Sequence, residues 1–175
     1  MPATVPAYSQ YLDVHLRGWP RRACGIVALK MLLDYFSPRM RSMSIDNLIA
    51  FGLAREAYIP HVGWKHRGLA KLAEEFGLRG DNYDWANKDP RAAFALMQRH
   101  ARFPLLASVH KHFDPKNGGH LIVVTKVEKE VIHYHEPASH SRARIPRTVD
   151  IPTFLAGWKR RIIVVRPQIA KSKNR

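Results

Sequence analysis

Ala23-Cys24-Gly25-Ile26-Val27-Ala28-Leu29-Lys30-Met31-Leu32-Leu33-Asp34-Tyr35-Phe36 is the stretch on which the reading of this chain turns. Cys24, Val27, Ala28, Met31, Leu32 and Tyr35 recur at i, i+3, i+4 spacing, and Ile26, Leu29, Leu33 and Phe36 form a second stripe. Only Lys30 and Asp34 share a polar side. A helix that is apolar nearly all round belongs in the interior, so the spacing predicts a buried rod over 23–36 with a thiol in its first turn. This is the only cysteine in 175 residues, which rules out an internal disulfide. A thiol at that position gains from the positive end of the helix dipole and from Arg21 and Arg22 just before it. Gly25 beside it leaves room for a substrate backbone. Taken alone, however, a lone cysteine on a core helix is more often packing than chemistry.

Working outward, the remaining signals divide the chain. Ser44 caps a second helix through Leu53, Trp64 to Phe76 reads as a third helix ended by Gly77, and Asp89-Pro90 opens a fourth to about Ala101. After Arg102 the pattern changes to strands at Pro104–His110, His120–Lys126, Glu130–Glu136 and Arg161–Arg166, with a short helix at Ile151–Trp158. Helices followed by a mostly antiparallel sheet give an α+β architecture.

Length and composition limit the rest. With 46% apolar residues and no repeat or linker, 175 residues suit one core. We expect a single domain over 1–170 and a basic tail at 171–175. No apolar run approaches the roughly 20 residues of a membrane span, and Met1 to Gln10 has neither a basic start nor an apolar run. A soluble, cytoplasmic protein is therefore expected. The net charge is +15, and Ser139 to Arg175 holds ten Lys/Arg against one acid, Asp150. Such a basic face suits an acidic partner or nucleic acid, or is simply a solvated surface.

A hairpin supplies a second chemical element. The strands 120–126 and 130–136 are joined by only Val127-Glu128-Lys129. If Lys126 pairs with Glu130, counting back places His120 opposite Glu136, within reach of an imidazole–carboxylate hydrogen bond. A slip of one residue would put Glu136 on the other face, so this expectation depends on the register.

Motif order adds a third element. Val5-Pro6-Ala7-Tyr8-Ser9-Gln10 opens the chain, Ala23-Cys24-Gly25 runs into the apolar helix, and Gly63-Trp64 precedes Gly68-Leu69-Ala70. Phe103-Pro104-Leu105-Leu106-Ala107-Ser108-Val109, Gly118-Gly119-His120-Leu121-Ile122-Val123-Val124-Thr125 and His135-Glu136-Pro137 follow, with Phe154 and Trp158 closing. This order resembles the bacterial double-glycine (bacteriocin-leader-processing) peptidase-like family of papain-like cysteine peptidases. The resemblance implies a papain-like fold and a cysteine hydrolase acting on a peptide or related amide. It makes Cys24 the nucleophile, His120 the general base, Glu136 the residue orienting it, and Gln10 the side-chain donor to the oxyanion. Three positions depart from the family pattern: Glu136 stands where Asp or Asn is usual, Ile26 replaces the Pro after Cys-Gly, and Gln10 lies fourteen residues before Cys24.

The same thiol machinery would serve an acyltransferase, and a non-catalytic basic binding module is the reading from a different class. The pairs His110/His112 and His133/His135 have the i, i+2 spacing of some strand-borne metal sites. One cysteine and no helical HExxH leave no ligand set supported, so neither metal nor cofactor is expected. Asp114 to Gly119 is turn chemistry leading into His120, either a substrate loop or a connector. Trp19, Trp64, Trp85 and Trp158 read as core or cleft wall.

Overall fold

A computed structural model describes residues 4–168; the basic tail expected at 171–175 lies outside the described residues. The elements in order are α1 (Cys24–Phe36), α2 (Ile45–Ala54), β1 (Tyr58–Ile59), β2 (Gly63–Trp64), α3 (His66–Glu75), β3 (Leu78–Asp84), α4 (Pro90–His100), β4 (Leu105–His110), β5 (Gly119–Val127), β6 (Val131–His135), β7 (Pro146–Asp150), α5 (Ile151–Gly157) and β8 (Trp158–Pro167). β1 and β2 pair only with each other. The other six strands form one antiparallel sheet in the order β3-β8-β4-β5-β6-β7. The α+β architecture is as the patterning indicated.

The two faces of this sheet explain the strand sequences. Leu106, Leu121, Val123, Ile163 and Val165 join the core under α1, α2 and α3. Their neighbours Ala107, Ile122, Val124, Ile162 and Val164 join a second core with Phe94 of α4 and Phe154 of α5. Central strands covered on both sides read as continuous apolar runs. β3 and β7 are edge strands with half-exposed patterns, and β7 begins with Pro146, which an edge tolerates. Neither was visible as a strand in the sequence for that reason.

α1 is the buried rod that its stripes require, with ten of its thirteen residues buried. Lys30 and Asp34, the pair on its polar side, do not reach solvent: Lys30 Nζ pairs with both oxygens of Asp34 and donates to Met40 O at 3.1 Å. Capping follows the expected chemistry elsewhere. Ser44 Oγ accepts from Asn47 N–H, and Asp89 Oδ1 accepts from the amides of Arg91 and Ala92. The third helix starts two residues later than expected. Trp64 belongs to β2, and its indole N–H donates to Arg22 O at 2.9 Å, so it is spent on fixing the chain just before Cys24.

The hairpin register also differs from the count. Lys126 pairs with His133, not Glu130, while Val123 pairs with His135. Between Val124 and Lys126 the register shifts at a bulge. Continued without that bulge, the pairing at the turn would carry Glu136 level with Val123, on the wrong pleat. The bulge absorbs one residue and returns Glu136 to the level of Ile122, two residues from His120 and of the same parity.

Candidate active site

Cys24 is the first residue of α1. Its cap residue, Ala23, has no side chain able to bond the first amides, and the first turn contains no acid. The free N–H groups and the positive end of the dipole are therefore left at the thiol. β6 covers β5 only from Val123 onward, so the start of β5 is open on that side. Cys24 meets this open part, where His120 and the Leu121 backbone amide are the groups that act on its thiol.

His120 is buried, and its Nε2–H donates to Glu136 Oε1 at 2.5 Å. The other ring nitrogen is left for the thiol. Glu136 Oε1 also accepts the Ala138 N–H at 2.8 Å, so the turn after the carboxylate holds it in place.

The charges respond to this arrangement. Burial pushes the Cys24 thiol up, but the hydrogen bond and charge of His120, together with the Leu121 amide, outweigh it and hold the thiol below its ordinary value; Glu136 opposes them. Burial alone would lower His120, yet its bonds to Cys24 and Glu136 push it up to about 10. Burial likewise raises Glu136, whose bond with His120 brings it below the usual carboxylate value. These shifts favour a thiolate–imidazolium pair beside a carboxylate. Arg21 and Arg22 are not among the leading influences on the thiol. Both are exposed and line the rim of the cleft instead.

Gln10 is tied by its backbone to the segment that follows Glu136. Its N–H donates to Pro137 O at 2.8 Å, one residue after Glu136. The segment around it is tied down on several sides. Tyr8 Oη donates to Asp34 Oδ2 at 2.7 Å, Ser9 Oγ donates to Ser139 O at 2.5 Å, and Tyr11 stacks on His140 at 4.0 Å. Gln10 itself is buried, and its Oε1 has no protein partner. None of these anchors was singled out in the sequence. The polar pair Lys30 and Asp34 within the otherwise apolar α1 was the available signal.

The thiol opens on a cleft of about 630 Å³, whose walls include Trp64, Ser108, His120 and Leu121. Gly25 packs under this floor: a Cβ there would lie 3.0 Å from both Leu121 Cδ1 and Trp64 Cβ. The Asp114–Gly119 turn is a tied connector, with Asn117 Nδ2 donating to Lys111 O and His110 Nδ1–H donating to Asn117 O, both at 2.9 Å. The histidine pairs are occupied elsewhere. His133 pairs with Glu128, and His135 Nδ1–H donates to Pro6 O at 3.2 Å. Among the described residues no group of three or more His, Cys, Asp or Glu could hold a metal ion, and no helix is long and apolar enough to cross a membrane.

A helix-borne cysteine set against a strand-borne histidine across an antiparallel sheet is the arrangement of the papain-like cysteine peptidase clan. Solved structures agree in fold. A double glycine motif protease from an AMS/PCAT transporter, in complex with its leader peptide, superposes with a TM-score of 0.62 at 15% identity, covering 95% of this chain and 94% of that one. A C39-like peptidase from Bacillus anthracis gives 0.61 at 15% identity, with 97% of each chain covered. The peptidase domain of Streptococcus ComA, a bifunctional ABC transporter, gives 0.59 at 17%, covering 85% of this chain and 93% of that one. The profile of the Peptidase C39 family matches residues 20–170, and the chain belongs to that family. Comparison with curated proteins gave no match.

Proposed function

We propose that this chain is a cysteine peptidase that cleaves a peptide after a pair of small residues, with Cys24 as nucleophile. The observation that carries the reading is the hydrogen bond of a buried His120 to Glu136, with the Cys24 thiol under the influence of the same imidazole, on the wall of an open cleft. The Cys24 thiolate attacks the scissile carbonyl carbon. The oxyanion that forms is met by the Cys24 backbone N–H, free at the start of α1, and by the side-chain amide of Gln10. His120 gives its proton to the leaving amine and then takes one from the water that releases the acyl group. Glu136 keeps the ring oriented and stabilises its charge.

A leader peptide ending in Gly-Gly is the substrate class that fits best, by likeness to the leader-bound protease. Gly25 beside the thiol is closely packed by Trp64 and Leu121, both of which line the cleft. The test is cleavage of an internally quenched peptide with a central Gly-Gly, products read by mass spectrometry. Cleavage after the second Gly that disappears in Cys24→Ala is the expected result. Cleavage retained by Cys24→Ala, or none by stoichiometric wild-type protein, would overturn the reading.

A further inference from the structure

The cleft beside Cys24 carries four cationic side chains, Arg21, Arg22, Lys159 and Arg161, and no carboxylate lines it. One of these, Lys159, comes from an irregularity that the peptidase machinery does not use. Where β8 pairs with β4, Ser108 faces Arg161 but Val109 faces Trp158, so Lys159 and Arg160 are extra residues looped out of the ladder. The loop is held by design of the chain around it: Arg160 has φ of 56°, its Nη2 donates to Ala86 O at 2.8 Å, and its carbonyl accepts the Trp85 N–H at 2.9 Å. A left-handed backbone at a bulky residue is costly and persists only where surrounding contacts enforce it.

The consequence of this bulge is where it sends Lys159. A Cβ built on Gly119 would lie 3.1 Å from Lys159 Nζ, so the ammonium sits against the residue immediately before His120. Among the described residues Lys159 Nζ has no ion-pair partner, whereas Arg161 is held by Asp84 at 2.8 Å. Any side chain at position 119 would press on the ammonium. Bulges commonly re-aim a side chain at an active site, and this one leaves in the cleft of Cys24 a half-buried cation with no counter-charge among the described residues.

We infer that Lys159 is a specificity-determining residue that binds a carboxylate of the substrate next to the scissile bond, so that the peptidase selects acidic peptides. Arg21, Arg22 and Arg161 extend the positive field along the cleft and draw such peptides in, an effect that weakens with salt. The inference rests on the peptidase reading and names the class of substrate for that same site. The carboxylate can come from an Asp or Glu side chain or from a peptide's own C-terminus.

The test measures both binding and cleavage. Quenched peptides with a central Gly-Gly carry Glu, Gln or Lys at each flanking position in turn, and each is made with a free or amidated C-terminus. Affinity is read by anisotropy on Cys24→Ala protein, and kcat/KM on protein with Cys24 intact. We expect a preference of about tenfold or more for Glu over Gln at one position, or for the free over the amidated terminus. The preference vanishes in Lys159→Met and turns toward Lys in Lys159→Glu. Reversal excludes a merely structural role, since misfolding would lower all peptides together. Equal affinity for Glu, Gln and Lys peptides, or a preference for Glu that survives Lys159→Met, would overturn the inference. Loss of cleavage with charge-selective binding intact would overturn the peptidase reading alone.

Discussion

Glu136 Oε1 lies 2.5 Å from His120 Nε2, although the two residues are not cross-strand partners. By the register of β5 and β6, Glu136 is level with Ile122, so its carboxylate reaches diagonally across the hairpin. Diagonal neighbours have Cβ atoms roughly 7–8 Å apart or somewhat less, against about 5 Å for direct partners. The extra methylene of Glu, relative to the family's usual Asp or Asn, is what spans that gap. Glu136→Asp is therefore expected to lower kcat/KM by about tenfold to a hundredfold, within the range that acid–base positioning supplies. Glu136→Gln keeps the length and an acceptor oxygen, and is expected to be the better of the two. Steady-state kinetics of both variants on one peptide checks the order.

The pH profile follows from the directions of the shifts. The thiol lies below its ordinary value and His120 lies up to about 10. At low pH the sulfur is protonated and attack fails; above about 10 the imidazole has no proton for the leaving amine. A bell-shaped kcat/KM is expected, with its acid limb below the roughly 8.5 of a free cysteine and its alkaline limb near 10. Both limbs belong to the coupled pair. Glu136→Gln removes a charge that supports the imidazolium, so the alkaline limb is expected to move to lower pH.

Gln10 is predicted to act on the transition state only. Gln10→Ala should reduce kcat by about 10²–10³-fold with little change in KM, the usual cost of losing one oxyanion donor. Its backbone bond to Pro137 is unaffected by the substitution, so the urea midpoint should stay near that of the wild type. A rise in KM at constant kcat would assign Gln10 to substrate binding instead.

Stability is predicted to concentrate at Asp34, which is fully buried and shared by Lys30 and Tyr8. Asp34→Ala leaves a buried ammonium unpaired and should cost about 3–5 kcal/mol. Burial and the Asp34 carboxylate together push the Tyr8 hydroxyl up to about 12. Tyr8→Phe removes one bond to a charged acceptor, worth about 1.5–3 kcal/mol. Because Tyr8 lies two residues before Gln10, kcat should fall with it. Urea unfolding and kinetics on the same preparations read both effects.

The helix of Cys24 was legible from its period and the central strands from their continuous apolar runs. The edge strands Leu78–Asp84 and Pro146–Asp150 were not, since each carries few apolar residues and alternates mainly between half-buried and exposed positions. The contact of His120 with Glu136 was anticipated by a count whose register was wrong by two residues, an even slip that preserved the pleat. The bulge near Thr125 that makes the slip even has no Gly or Pro to announce it. The second bulge, which presents Lys159, is equally silent, because Lys159 and Arg160 fall between the expected helix Ile151–Trp158 and the expected strand Arg161–Arg166. The anchors of Gln10 join residues as far apart as Ser9 and Ser139, and contacts at that separation have no local signature.

The central claim is that His120 activates the thiol of Cys24. The most direct measurement is the rate of alkylation of Cys24 by iodoacetamide as a function of pH, in wild type and in His120→Ala. The wild-type rate is predicted to reach its plateau with a midpoint well below that of free cysteine, and to be fast at pH 6. In His120→Ala the midpoint should rise past the free value, because burial is then opposed only by the Leu121 amide. A wild-type midpoint at or above that of free cysteine, unmoved by the substitution, would contradict the account.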